Sequence, residues 1–182
     1  MNFSLSEEQQ MIVATTRDFV QQGRGLRHQR HQALHQSRRS RGFRHPVRRL
    51  GRAERALELA KQWAGDRTQF GQQIGKFQGV AFKLADMAVE LRAAELLTLE
   101  AAWKLPQKTA TDMDMAIAKL KATEMLALVA DEALQIHAGM GLMTELPLEP
   151  IWRAARIERI WDGTSEVQRH IISRALLRPL GG

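Results

Sequence analysis

The sequence predicts an all-α protein, an antiparallel bundle of the four-helix type. Three observations carry this. Apolar residues recur at three- and four-residue steps through most of residues 49–177. The breaks between those runs are short and hold Gly or Pro, which favours antiparallel neighbours. No alternating pattern of the strand type competes with them.

Residues 3–20 read as a first helix. Ser6 precedes Glu7 and Glu8, acids that suit a first turn, and Phe3, Leu5, Met11, Ile12, Val13, Phe19 and Val20 offer a partly apolar face. Residues 21–48 break the pattern with Arg, His, Gln and Ser, and too little apolar surface to offset the cost of ordering, so a solvated, disordered tail is expected. Helical periodicity returns at residues 49–65, where Leu50, Ala53, Leu57, Ala60 and Ala64 share a face. Gly71 is expected to close that helix. A second helix, residues 76–104, carries the stripe Val80, Leu84, Met87, Leu91, Ala94, extended by Leu97 and Ala101, and Pro106 stops it. The third, residues 109–138, is apolar all round at Met125–Ala130, as in a helix enclosed by neighbours, and ends at Ala138-Gly139-Met140-Gly141. Pro147 and Pro150 open a shorter helix through about Trp161. The last runs from Ser165 to Leu177, with Ser165-Glu166-Val167-Gln168 as a capping box.

A chain of 182 residues, 44% hydrophobic and 26% charged, can bury one solid core. It has no run of 18 apolar residues, which excludes a spanning helix, and its N-terminus has no basic segment followed by an apolar one, which argues against secretion. The absence of cysteine excludes disulfides and thiolate metal sites, and a cytoplasmic location is expected. The net charge of +7 is local. Residues 21–50 hold nine arginines, four histidines and no acid, whereas the other 152 residues hold 18 basic and 20 acidic side chains. Nucleic-acid binding is the functional reading of that run, but Phe43 is its one aromatic, and a solvated tail is the reading we prefer.

Asp162-Gly163-Thr164, between the last two helices, is a plausible seat for a carboxylate and an anionic ligand. Asp162 as the cap of the last helix is the local alternative. Arg67 reads locally as a helix-end arginine, Phe70 as packing, Gln78 as a solvated polar residue, and Gly139 as a helix stop. His137 reads as a satisfied core histidine, and Trp152 and Trp161 as core or interface aromatics.

Five motifs in order bear on this. Arg67-Thr68-Gln69-Phe70-Gly71 resembles the Arg-x-x-Phe-Gly of the flavin-dependent acyl-CoA dehydrogenases. Phe77-Gln78 follows it, with Leu84-Ala85-Asp86-Met87 beyond. Gln135 to Gly141 is similar to that family's Gln-x-x-Gly-Gly-x-Gly, Arg153 to Ile160 to its Arg-Asp-Ala-Arg-Ile, and Asp162 to Gln168 to its Glu-Gly-Thr-Ser-x-x-Gln. From about Gly51 onward the chain resembles the family's C-terminal helical domain. Phe3-x-Leu5-x-Glu7-Glu8-Gln9 resembles its first helix, and residues 1–20 are expected to be a remnant of it. The family has an N-terminal helical domain and a middle β-domain where this chain has its basic segment. A truncated or internally deleted reading frame is therefore expected, and a frame change through residues 21–48 is one form it could take.

The resemblance implies an oxidoreductase of fatty acid β-oxidation with FAD as cofactor, removing hydrogen from the α and β carbons of an acyl-CoA. Electron-transfer flavoprotein would be the acceptor, as in intact relatives. It implies Asp162 as the catalytic base, one methylene shorter than the Glu of many members, with Gly163 beside the substrate. Arg67, Phe70, Gln78, Gln135, Gly139, Thr164 and Glu166 would contact FAD. Glu166 stands where some members have Gln, and a carboxylate there repels a pyrophosphate. It further implies a homo-oligomer, dimer or tetramer, that shares each flavin between copies. With the middle domain absent, the shortened chain is expected to retain little flavin and to be inactive or impaired. A non-catalytic helical oligomerisation module is the alternative from a different class, and nucleic-acid binding a third.

Overall fold

The computed structural model of the chain describes residues 44–180. The helix expected at 3–20 and the basic segment up to residue 43 lie outside the described residues. Among the described residues there are five α-helices: α1 (Arg44–Asp66), α2 (Gln78–Lys104), α3 (Asp112–His137), α4 (Leu148–Glu158) and α5 (Ser165–Leu177). Helix α3 is the central member and packs against each of the other four, while α1 and α2 also pack against one another. The all-α bundle expected from the sequence is present, with α3 as its axis.

The core explains the arrangement. Ala53, Ala56, Ala60 and Ala64 make a buried alanine ladder on α1, joined by Leu50. Small side chains at three- and four-residue steps let another helix lie close. Facing them, α3 contributes Met125, Leu126, Val129, Ala130, Ala133 and Ile136, with Met87 and Ala94 of α2 and Leu148 and Ala155 of α4. Leu128 departs from the expectation of an all-round buried segment, since it is 39% exposed in a groove that Glu90 of α2 and Trp152 of α4 also line.

Three local expectations are corrected. Among the described residues α1 covers Arg44–Asp66, so helix extends over residues 44–48, ahead of the 49–65 expected. Gly71 does not end α1. The helix stops at Asp66, and Thr68–Gln69 (β1) pairs antiparallel with Gln72–Gln73 (β2) in a short hairpin. Phe70 (φ 51°) and Gly71 (φ 79°) are its two turn residues, both in the left-handed region that such tight hairpins require. Nor do Ser165 and Gln168 form a capping box. Thr164 caps α5, its hydroxyl accepting from the Val167 N–H at 3.3 Å. A capping box does form at the start of α3, where Thr111 and Asp114 exchange side-chain and backbone hydrogen bonds.

Candidate functional site: a left-handed turn and an aromatic cleft

The turn between α4 and α5 is built from backbone constraints. The Ile160 and Trp161 N–H groups both donate to the Ile157 carbonyl, which closes α4. Asp162 (φ 52°) and Gly163 (φ 84°) follow in the left-handed region, and the Ser165 N–H returns to the Arg159 carbonyl at 3.1 Å. A side chain at Gly163 would be strained by that backbone conformation and would displace a neighbour. A Cβ there would lie 2.7 Å from Gln168 Nε2, which donates to the Gly163 carbonyl at 3.3 Å. Lys119, from α3, donates to the same carbonyl. Because Thr164 is the cap, Asp162 is not. Its side chain stands exposed on a turn held by its neighbours' bonds, with Ile157, Ile160, Trp161 and Val167 each leaving apolar surface uncovered nearby in the sequence. The reading of Asp162 as an ordinary helix cap is therefore corrected.

Beneath the turn lies a buried ionic cluster. Glu158 is 3% exposed and accepts from Arg49 Nε at 2.7 Å, Arg52 Nη1 at 2.8 Å and Trp161 Nε1 at 2.9 Å. Burial pushes its carboxyl upward, but the Trp161 and Arg49 donors and the charges of Arg49 and Arg52 outweigh it, so the net shift is downward and the group is ionised. Trp161 immediately precedes Asp162, so the cluster anchors the turn from below. Burial, with repulsion from Arg49, lowers the Lys119 pKa, against the pull of Asp162, Glu158 and Glu124. Glu124 completes the support, accepting from Ser165 Oγ at 2.7 Å and pairing with Arg159 at 3.2 Å. Among the described residues, Arg49 Nη2 and Arg159 Nε are buried without a hydrogen-bond partner. The sequence reading placed Arg49 at the edge of the basic run and assigned no role to Glu158 or Lys119. One signal was available: Arg49 lies in register with Ala53, Ala56, Ala60 and Ala64 on the buried stripe of α1.

Glu166 sits in the first turn of α5, exposed. Its own backbone N–H, then the Thr164 hydroxyl, hold its carboxyl below the usual range, and so it is ionised at the helix N-terminus.

At the other end of α3 is a cleft of about 950 Å³ between the hairpin and the end of the helix. Trp63 stacks on His137 (centroids 5.2 Å apart, 19° between planes), and the Arg67 guanidinium lies 6.0 Å over the Trp63 ring. Phe70 is 93% exposed and meets Phe77 edge-on at 6.2 Å. His137 is buried, its Nδ1 2.8 Å from the Ala133 carbonyl, and burial lowers its pKa despite that bond, so it is a neutral core histidine, as expected. Ala138 (φ 53°) turns the chain at the end of α3. Gly141 is the glycine that space demands here, since a Cβ would lie 2.8 Å from the Leu134 carbonyl, while Gly139 has open space around it.

Of the residues expected to meet a cofactor, the cleft brings together Arg67, Phe70, Gln135 and Gly139. Gln78 is exposed as the first residue of α2 and is not among its lining residues, although Phe77 and Gly79 are. Thr164 and Glu166 are in the turn region instead. The two groups are far apart. Glu124 and Lys119, which support the turn, precede Gln135 by 11 and 16 residues on α3, about 17 to 24 Å of helix. A cleft with an extended aromatic, a guanidinium and apolar walls fits a flat ring joined to phosphates, which is the adenine and pyrophosphate portion of a dinucleotide.

Comparison with known proteins bears on the family. The family model described as "Acyl-CoA dehydrogenase, C-terminal domain" matches residues 23–177, starting inside the basic segment. The mitochondrial short-chain specific acyl-CoA dehydrogenase of Mus musculus is 44% identical over 129 residues, 71% of this chain and 31% of that protein. A probable acyl-CoA dehydrogenase of Bacillus subtilis is 43% identical over 129 residues, 71% of this chain and 34% of its own length. The butyryl-CoA dehydrogenase structure from Megasphaera elsdenii superimposes with a TM-score of 0.71 at 41% identity, covering 73% of this chain and 35% of that one. The chain thus spans about a third of the length of the curated relatives it matches. With that match over most of its length, and with the cleft and turn standing on the family's motifs, this chain belongs to the acyl-CoA dehydrogenase family.

Proposed function

We propose that this chain is the C-terminal helical domain of an FAD-dependent acyl-CoA dehydrogenase, contributing Asp162 as the base and the cleft as part of the cofactor site. The observation that carries the proposal is the left-handed turn that takes Asp162 out of the capping role and presents its carboxylate among exposed apolar residues. Asp162 would take the α-proton of an acyl-CoA thioester onto its carboxylate. FAD, when bound, accepts the β-hydride. A base for this step works best with a pKa near the working pH, which burial against an acyl chain would raise. Arg67 would pair with pyrophosphate oxygens and Phe70 would cover the adenine, while Thr164 and Gly163 line the turn beside the reacting end. Asp reaches about 1.5 Å less far than Glu, so the turn, with Gly163 pressed on Gln168, must bring the backbone that much closer to substrate.

In a single copy the Asp162 turn and the cleft are both open, and about 17 to 24 Å of α3 separates their supports. We propose that the cofactor sites are completed between copies of a homo-oligomer, and that the shortened chain alone retains little flavin and does not turn over. In an intact relative, electrons would pass to electron-transfer flavoprotein. The test is the visible spectrum of the purified protein together with its mass in solution. Little absorbance in the flavin bands is expected. A yellow protein with stoichiometric FAD would overturn the claim of poor retention. Asp162→Asn in an intact relative carrying this turn is expected to abolish turnover, and full turnover would remove Asp162 as the base.

A further inference from the structure

Lys119 is oddly placed for a lysine. Its helix, α3, packs against all four others. Ala116, Ala118, Ala122 and Thr123, its neighbours in sequence, are all buried, and Lys119 itself is half-buried. From there it donates to the Gly163 carbonyl, in the turn that carries Asp162. That carbonyl has a second donor, since Gln168 Nε2 reaches it at 3.3 Å. It would not be orphaned without the lysine.

Nor does the fold gain from the charge. Burial, then repulsion from Arg49, hold the Lys119 pKa below its ordinary 10.5, against the pull of Asp162, Glu158 and Glu124. A lowered pKa means that folding disfavours the ammonium. The unfolded chain binds the proton more tightly, so stability rises as pH climbs from the lowered value toward 10.5, and the loss is full below that window. Arg49, 1% exposed, and Lys119 are thus like charges brought close in the interior. A sequence selected for stability alone would place an apolar side chain at position 119. Groups that a fold keeps at a loss of stability cluster at functional sites.

What the lysine supplies is geometry. The Gly163 carbonyl belongs to the peptide that follows two left-handed residues, Asp162 (φ 52°) and Gly163 (φ 84°). Positive φ is unfavourable for a residue with a Cβ, so Asp162 keeps it only where its surroundings hold it. Fixing that carbonyl fixes the peptide plane that ends the turn. Among the acids that pull on Lys119, Asp162 pulls hardest. We propose that Lys119 is the positioning residue of this turn: its ammonium holds the Gly163 carbonyl and draws the Asp162 carboxylate, which keeps Asp162 left-handed and out of the capping role. The purpose of the device rests on Asp162 being the base. Its test needs neither flavin nor turnover.

The experiment uses the full chain near neutral pH. Lys119→Met keeps an unbranched apolar stem and removes the charge, and its urea midpoint is expected to equal or exceed that of the wild type. The Ser165 N–H closes the turn through its bond to the Arg159 carbonyl at 3.1 Å. Its hydrogen exchange is expected to speed up on the order of tenfold in the variant, while the amide of Val129, buried in α3, exchanges no faster. A lysine with a purely structural role gives the opposite pattern. The midpoint falls and both amides speed up together, and that result overturns the proposal. Unchanged exchange at Ser165 overturns it as well.

The chain has no cysteine, so Lys119→Cys carries a unique thiol. Alkylation with bromoethylamine rebuilds a side chain of lysine length that ends in an ammonium, and it should restore slow exchange at Ser165. Capping the same thiol with a neutral methylthio group should not. Equal rescue by both would show that bulk, not charge, holds the turn, against the proposal. Asp162→Asn removes the strongest pull on Lys119, so the ammonium should titrate at a lower pH than in the wild type, read from the ε-carbon resonance that Lys119→Met lacks. An unmoved titration breaks the link between the two side chains. Failure of the base assignment reads differently: Asp162→Asn in an intact relative keeps its turnover, while the exchange results stand.

Discussion

Glu158 and Arg49 show how a single ion pair can tie α1 to the turn between α4 and α5. The Arg49 guanidinium is 1% exposed, and its fixed charge tolerates that only because Glu158 faces it. Glu158→Leu removes the acid and leaves Arg49 buried without a counter-charge, which is expected to cost about 3–5 kcal/mol, read as a lower urea midpoint. Arg52→Ala removes the partner that is 31% exposed, and it should cost under about 1 kcal/mol. Equal losses in the two variants would mean that Arg49 is not the partner that matters. Gly163 is the second residue on which the turn rests. Gly163→Ala must hold a Cβ at positive φ and push the Gln168 amide aside, so a loss of more than about 1 kcal/mol is expected. None of these roles was visible in the local sequence. Arginine next to a basic run reads as solvated, and only its register with the alanine ladder points inward.

Among the elements, helices were legible because their apolar stripes repeat, and their ends were less so because several residues compete to be the cap. Ser165-Glu166-Val167-Gln168 has the letters of a capping box, yet Thr164 takes the cap, Ser165 turns to Glu124, and Gln168 folds back onto the Gly163 carbonyl. Thr111-Asp112-Met113-Asp114 has the equivalent pattern with Asp for Glu, and there the box forms. The hairpin was hidden because its strands are two residues long, too short for alternation to register. The α3 box leads to a pH prediction. Lys104 first, then Thr111, hold the Asp114 carboxyl down at about 2 from an ordinary 3.8. Its folded pKa is depressed, so its stabilising effect is complete above about pH 4 and is lost as pH falls toward 2. Asp114→Asn should lose its full, pH-independent amount of stability above about pH 4, converge on the wild-type value as pH falls toward 2, and so flatten the acid limb. An acid limb unchanged in the variant would remove Asp114 from the account of acid stability.

For the whole molecule, the same central helix that made the fold readable splits the candidate site. Helix α3 supports the Asp162 turn through Lys119 and Glu124 and reaches the cleft through Gln135 and His137, so under the proposed function its two ends would serve different parts of the ligand. Sequence motifs mark both ends but carry no information about the distance between them, and that is why the parts were legible while their placement was not. If a cofactor is held between copies, its binding and self-association are linked, because a ligand that binds the assembled form draws the equilibrium toward it. Added FAD in excess should then shift sedimentation toward the larger species, and dilution of the protein should weaken FAD binding by the reciprocal factor. Arg67→Ala should remove the FAD-dependent part of the shift without altering the mass seen in its absence, since Arg67 lines the cleft. FAD that binds equally well to single and paired chains would place the whole binding site within one copy and end the argument for a shared one.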